Sequence, residues 1–168
     1  MMATTEDCKN CKMELRGEFK LQGENVHLEW GNGQESQADF AVHVYAIIEI
    51  SKEVSLVGYV GETTNSLSKR MYQYRNGYKN EKNQPTNHKV HEHIKTSLGA
   101  GHRIVLFSLL DDIPVTWAGK KINLAKGIES ALIATWQPGW NGSRGKKLEL
   151  VTRNGSKNLE LVKILYNE

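Results

Sequence analysis

Residues Val42 to Arg75 read VHVYAIIEI-SKE-VSLVGYVGETTNSLSKRMYQYR, and this stretch decides the fold. Val42 to Ile50 is rich in β-branched residues, which suit a pleated, packed strand. Ser51-Lys52-Glu53 is short and polar, and Val54 to Val60 is apolar again, so 42–60 is predicted to be a hairpin ended by Gly61. Thr63, Thr64 and Asn65 are helix N-cap candidates. Leu67, Met71 and Tyr74 then recur at helical spacing to about Arg75, where Asn76-Gly77 stops the helix.

Outward from this core, Phe19-Lys20-Leu21 and Val26 to Trp30 alternate like short strands, with Gly31 to Gln34 as a turn. Residues 1–12 read as frayed. Downstream, 76–87 is a polar loop, His88 to Leu98 a helix ended by Gly99-Ala100-Gly101, and Ile104 to Leu110 a further strand. Residues 111–122 read as loop. Asn123 caps a last helix whose stripe is Leu124, Ile128, Leu132 and Thr135, ended by Pro138-Gly139. The expectation is an α/β (α+β) chain with a small mixed or antiparallel sheet flanked by helices. Its parts are an N-terminal extension with short strands over 1–41, a core over 42–145 and a charged C-terminal extension over 146–168.

The chain has 168 residues, 39% hydrophobic and 24% charged, enough for one domain with a true core. No apolar run approaches the ~20 residues of a membrane span. The polar start lacks the apolar core of a signal peptide, so a cytoplasmic protein is expected. Cys8 and Cys11 form one C-x-x-C pair without a second, too few ligands by themselves for a structural zinc site, so inert thiols are expected, with a zinc site completed by histidines as the alternative. Net charge is +3, but unevenly placed: residues 1–42 carry net −4 and residues 43–168 net +7. A basic body suits a phosphate-rich partner, because each neutralised phosphate releases counterions.

The chemistry sits in an ordered constellation. Tyr45 lies on the first strand, Tyr59-Val60-Gly61 leads to a helix bearing Arg70 and Tyr74, and Glu129 lies on a later apolar helix, followed by Asn141. Phosphodiester hydrolysis needs an aligned water, stabilisation of charge on phosphorus and a neutralised leaving oxygen. An arginine forks onto phosphate oxygens. A carboxylate holds a hard divalent cation that keeps most of its waters. A tyrosine orients or deprotonates water, given local help against its pKa of ~10. Each residue has an ordinary reading too: a strand tyrosine, an exposed helix arginine, a helix-border glutamate, a turn asparagine. The order of the whole set, and the cost of a carboxylate among Ile128, Ala131, Leu132 and Ile133, favour function.

Tyr59-Val60-Gly61-Glu62-Thr63 with Ser68-Lys69-Arg70 resembles the second half of the GIY-YIG nuclease signature, and Val44-Tyr45 the end of its first half. Ile128 to Ile133 is similar to the helix carrying that family's metal-binding glutamate, and Trp140-Asn141 to its later asparagine. The resemblance covers about residues 42–145, in order. It departs at His43, where the family keeps glycine, and at Tyr74, where many members keep histidine. The pattern is nearest to phage endonuclease II enzymes and some type II restriction enzymes.

The resemblance implies a metal-dependent DNA endonuclease leaving a 5′-phosphate and a 3′-hydroxyl. In it Tyr45 is the base or water-orienting group and Tyr59 assists. Arg70 meets the phosphorane, Tyr74 the phosphate, Glu129 holds Mg²⁺ or Mn²⁺, and Asn141 completes the site. Glu62 is a competing ligand that the resemblance does not assign. Lys69, Arg75, Lys79, His88, Lys89 and Arg144 are expected to contact double-stranded DNA. The H-x-x-H-x-H run of His88, His91 and His93 suits DNA or solvent better than zinc. Phage-type and restriction roles compete within this reading, and a non-catalytic DNA-binding module of the same fold is the rival. One catalytic set cuts one strand, so a double-strand cut needs a second subunit or a monomer that nicks and rebinds, and a homodimer or larger homo-oligomer is expected.

Overall fold

A computed structural model describes residues 3–32, 42–52, 54–76, 85–111 and 115–144. Its elements are α1 (Thr5–Asn10), β1 (Glu14–Gln22), β2 (Asn25–Trp30), β3 (Val42–Ile50), β4 (Ser55–Thr63), α2 (Leu67–Arg75), α3 (Pro85–Gly99), β5 (Arg103–Asp111), β6 (Val115–Trp117), β7 (Lys120–Ile122) and α4 (Leu124–Trp136). A 3-10 segment, Gly139–Arg144, follows α4. No described helix is long and apolar enough to cross a membrane.

Five strands form one antiparallel sheet in the order β2-β1-β5-β3-β4. The strand pattern explains why helices cover both faces. In β3, Tyr45 and Ile47 enter one buried cluster, while Val44, Ala46 and Ile48 enter the other. Alternating side chains point to opposite faces, so a strand apolar at nearly every position must be covered twice. On the first face Phe19, Tyr45, Ile47, Ile104 and Leu106 pack with Leu67 and Met71 of α2 and Val90 and Ile94 of α3. On the second, Val44, Ala46, Val60 and Phe107 pack with Cys8 of α1 and with Ala125 and Trp136 of α4.

The predicted hairpin is present, but β4 runs on to Thr63, so Gly61 lies inside the strand rather than ending it. The β3–β4 register slips between Ile47 and Ile48, leaving Gly58 as the extra residue of a bulge. The cap of α2 is Ser66, whose Oγ accepts from the Lys69 amide at 3.1 Å, and not one of the three residues before it. Asn123 caps α4 as read, accepting from the Lys126 amide at 3.0 Å. Gln137 then turns left-handed at φ 50° before Pro138.

Two other local readings change. Residues 5–10 are helical, not frayed, held by the reciprocal capping of Thr4 and Asp7. Within 111–122, β6 and β7 pair across Ala118-Gly119, both at positive φ as a tight hairpin turn demands. The β1–β2 hairpin is integral to the sheet, because β1 pairs with β5 along Glu14–Phe19. Both thiols are unbridged, with Cys8 buried and Cys11 exposed. Burial pushes the Cys8 thiol up to about 12, so it stays protonated and unreactive.

Candidate active site

The site gathers at β4, one edge of the sheet. Tyr45 and Gly61 face each other across the β3–β4 ladder. A methyl group on Gly61 would lie 2.6 Å from Cζ of Tyr45 and 2.8 Å from Cε1 of Tyr59. Glycine here is therefore a matter of space: the two tyrosine rings occupy the volume a side chain would need. Gly58 plays the same part nearby, since a methyl there would meet the Trp140 indole at 2.7–2.9 Å.

Three tyrosines form a closed triangle. The ring centroids of Tyr45, Tyr59 and Tyr74 lie 6.3, 6.2 and 5.8 Å apart pairwise, and Tyr59 meets Tyr74 edge-on at 77°. The hydroxyls of Tyr45 and Tyr74 share a buried hydrogen bond of 2.7 Å. Tyr74 comes from α2, one turn after Arg70, so the two share a helix face. The Arg70 guanidinium sits 5.9 Å from the centre of the Tyr74 ring, in cation–π range, and donates to Oε1 of Gln73 at 3.1 Å.

Electrostatics binds this group to the carboxylates. Burial holds the Tyr45 phenol well above the usual tyrosine range, helped by Tyr59 and by the negative charge of Glu129, while Arg70 and the Tyr74 hydroxyl pull the other way. Tyr74 is likewise raised, first by burial and then by the two other tyrosines. For Arg70, burial lowers and the surrounding Tyr45, Tyr74, Tyr59 and Glu62 raise, and the net effect is a firmer cation. Glu129 thus lies near enough for Tyr45 to feel its charge. It is half-buried on α4, one turn after buried Ala125 on the sheet-facing stripe.

Asn141 performs a task that its place in a turn did not suggest. Its Oδ1 accepts from the Val60 amide at 2.9 Å, and its Nδ2 donates to the Val60 carbonyl at 2.7 Å. One side-chain amide pairs with an edge strand as a neighbouring strand would, between Tyr59 and Gly61. Trp140 beside it stacks on His93 of α3, with centroids 5.2 Å apart and planes 4° from parallel. Trp136 is buried, and Trp117's side chain lies outside the described residues.

Of the expected DNA contacts, Lys69 and Lys89 are exposed, while Arg75 and His88 are half-buried. The Nε of Arg75 is buried with no hydrogen-bond partner among the described residues. Lys79 and the side chain of Arg144 lie outside the described residues. The three histidines of α3 do not converge: His91 is buried with Nδ1 2.8 Å from the Tyr74 carbonyl, and His93 is taken up by Trp140. Among the described residues no group of three or more metal-ligating side chains forms a ready cage. One atom nonetheless suits a cation: Oε2 of Glu62 is buried and lacks a hydrogen-bond partner. Composition and spacing made Glu62 visible, but only the fold shows that its oxygen is left over.

The fold is GIY-YIG nuclease-like. In structure the chain is similar to a mutant of EndoII, endonuclease II of bacteriophage T4, at 19% identity and a TM-score of 0.64, over 82% of this chain and 98% of that one. It is similar also to the restriction endonuclease HPY188I in complex with product DNA, at 15% identity and a TM-score of 0.51, over 80% and 81% of the two chains. No family model matches the chain, and no curated protein matches it in sequence.

Proposed function

We propose that this chain is a divalent-metal-dependent DNA endonuclease that hydrolyses phosphodiester bonds. The observation that carries the reading is the convergence of Tyr45, Tyr59, Tyr74 and Arg70 around Gly61, with the charge of Glu129 felt at Tyr45. The fold shared with two endonucleases supports it.

Each residue has a part that its surroundings favour. Arg70, firmly charged, forks onto the non-bridging oxygens of the scissile phosphate and meets the negative charge that grows there. Tyr45 orients the attacking water and, as tyrosinate, takes its proton while the oxygen–phosphorus bond forms. Burial opposes formation of that tyrosinate, and the positive charge of Arg70 favours it. The bond from phosphorus to the 3′ oxygen breaks and that oxygen takes a proton from solvent, leaving a 5′-phosphate and a 3′-hydroxyl. Tyr74 holds the Tyr45 hydroxyl in place through their shared hydrogen bond, and Tyr59 packs the pair from the third side. Asn141 is a positioning residue that acts through Val60. Glu129 would hold Mg²⁺ or Mn²⁺, which when bound adds positive charge at the phosphate and the leaving oxygen. The orphaned oxygen of Glu62 fits such an ion, as does the preference of hard cations for one or two carboxylates and several waters.

In this reading Lys69, Arg75, Lys79, His88, Lys89 and Arg144 contact the DNA. The chain acts as a homodimer or larger homo-oligomer, so that two sets meet the two strands. Sedimentation of the purified chain reads this, and a 19 kDa species that makes concerted double-strand breaks would contradict it.

The test is cleavage of supercoiled plasmid with Mg²⁺, with Mn²⁺ and with a chelator, followed by sequencing of the cut ends. Nicked or linear product is expected only with an ion. Glu129→Ala should bind DNA in a gel shift yet leave it intact, because losing the ion removes several kcal/mol of charge stabilisation. A parent chain that binds DNA and leaves it whole under every ion would be a binding module of this fold instead.

A further inference from the structure

Gly61 is followed by Glu62, whose orphaned oxygen suits a cation but to which no role as a ligand has yet been assigned. Glu62 lies on β4 in register with Val44 of β3. Side chains alternate along a strand, so Glu62 shares the face of Val60 and not that of Tyr59. Val60 belongs to the cluster that packs under α4, the helix carrying Glu129. Two carboxylates from distant parts of the chain are thereby directed to one side of the sheet, at the edge where the site gathers.

Three observations then bear on what Glu62 does there. Its Oε2 is buried and has no hydrogen-bond partner among the described residues. Its charge reaches Arg70. Yet the guanidinium donates to Gln73 and forms no ion pair with Glu62. A buried carboxylate oxygen without a donor is a costly arrangement unless a cation completes it. Arg70 is the nearby cation of the chain itself, and turning it onto Glu62 would withdraw it from the phosphate. A second carboxylate also raises the negative charge of a site that otherwise has Glu129 alone to attract a divalent ion beside Arg70.

We propose that Glu62 is a second carboxylate ligand of the divalent cation, sharing it with Glu129 across the β4 edge. The assignment rests on the metal-dependent reading above and extends it to a residue on the signature strand. It separates the roles on either side of Gly61: Tyr59 serves the tyrosine cluster on one face, and Glu62 the cation on the other.

Mn²⁺ binding to the full chain, followed by the electron paramagnetic resonance signal of the free ion, tests this without recourse to catalysis. Glu62→Gln keeps the shape of the side chain and removes its charge. It should weaken Mn²⁺ binding about 10–100-fold, the range expected when metal-site partners are lost. Glu129→Gln should weaken it comparably. The melting temperature of the parent should rise on adding Mn²⁺, and that rise should shrink in Glu62→Gln. Without the ion the Glu62→Gln protein should melt no lower than the parent, because the charge on a half-buried carboxylate with one unpartnered oxygen has been removed. Equal Mn²⁺ affinity in the parent and Glu62→Gln overturns the assignment, as does a parent that binds no Mn²⁺ at millimolar concentration. The two readings fail separately. A parent that cuts DNA, with Glu62→Gln binding Mn²⁺ unchanged, refutes only the ligand. A parent that binds Mn²⁺ through Glu62 and cuts no DNA refutes only the nuclease.

Discussion

Replacing Asn141 by alanine deletes both hydrogen bonds that its amide makes to Val60, at 2.9 and 2.7 Å. Val60 is wholly buried on the edge strand, so its N–H and C=O lose their partners together. Each bond contributes about 1 kcal/mol net, and an abandoned buried group costs about 1–3 kcal/mol. Asn141 itself is half-buried, so water reaches part of the vacated space and the low end applies, about 2–3 kcal/mol in all. For a chain of this size that lowers the melting temperature by about 4–12 °C. Catalysis should suffer more than stability. Val60 separates Tyr59 from Gly61, whose backbone lies against the Tyr45 hydroxyl. Slack of ~1 Å in reacting groups costs about 10²-fold in rate. Asn141→Asp sharpens the test: it keeps the acceptor for the Val60 amide but sets a carboxylate oxygen against the Val60 carbonyl. Thermal melting and single-turnover cleavage on the same preparations measure both effects. If Asn141→Ala melts and cuts like the parent, the side-chain amide is not what holds this strand.

Arg70→Lys keeps the charge and loses the fork, so single-turnover cleavage should slow by about 10²-fold while DNA affinity changes little. Near-parental cleavage would make Arg70 a mere surface charge. Gly61→Ala sets a methyl 2.6 Å from the Tyr45 ring, and should cost about 1–3 kcal/mol by urea titration together with most of the activity. Tyr45 and Tyr74 have folded pKa values raised first by burial. Such groups stabilise the fold fully below their unfolded pKa of about 10, and that contribution is lost as the pH climbs above it. Urea midpoints should therefore fall on the alkaline side, and less steeply in Tyr74→Phe. A flat profile would contradict the burial of the pair.

How far the sequence discloses this arrangement depends on the range of each interaction. The β3–β4 hairpin and α2 rest on neighbours in the chain, and the run from Val42 to Arg75 announces both. The capping of α1 was legible in the Thr4…Asp7 spacing, although its setting among charged residues reads as a frayed end. The β6–β7 turn was obscured because Ala118 stands at positive φ, where asparagine or glycine is the usual signal. The pairing of β1 with β5 links Phe19 to Ile104, and no local pattern encodes it. In the site, motif order named Tyr45, Tyr59, Arg70, Tyr74, Glu129 and Asn141. The Tyr45–Tyr74 bond and the grip of Asn141 on Val60 arise from docking of separate elements. The reason for Gly61 also needed the fold, since spacing suggested a turn and the packing shows a ring in the glycine's place.

The strand that carries the signature is also a border of the sheet, and such borders tend to recruit foreign strands. On β4 the Val57 amide donates to the Ala3 carbonyl at 2.8 Å, and Val60 is held at both its polar groups by one asparagine. Two patches from opposite ends of the described chain thus occupy the places where an intruding chain would dock. This border of the sheet is thereby guarded against pairing with other polypeptides. Variants that loosen either patch should then show their first defect as clumping during expression, ahead of any loss measured in a dilute assay.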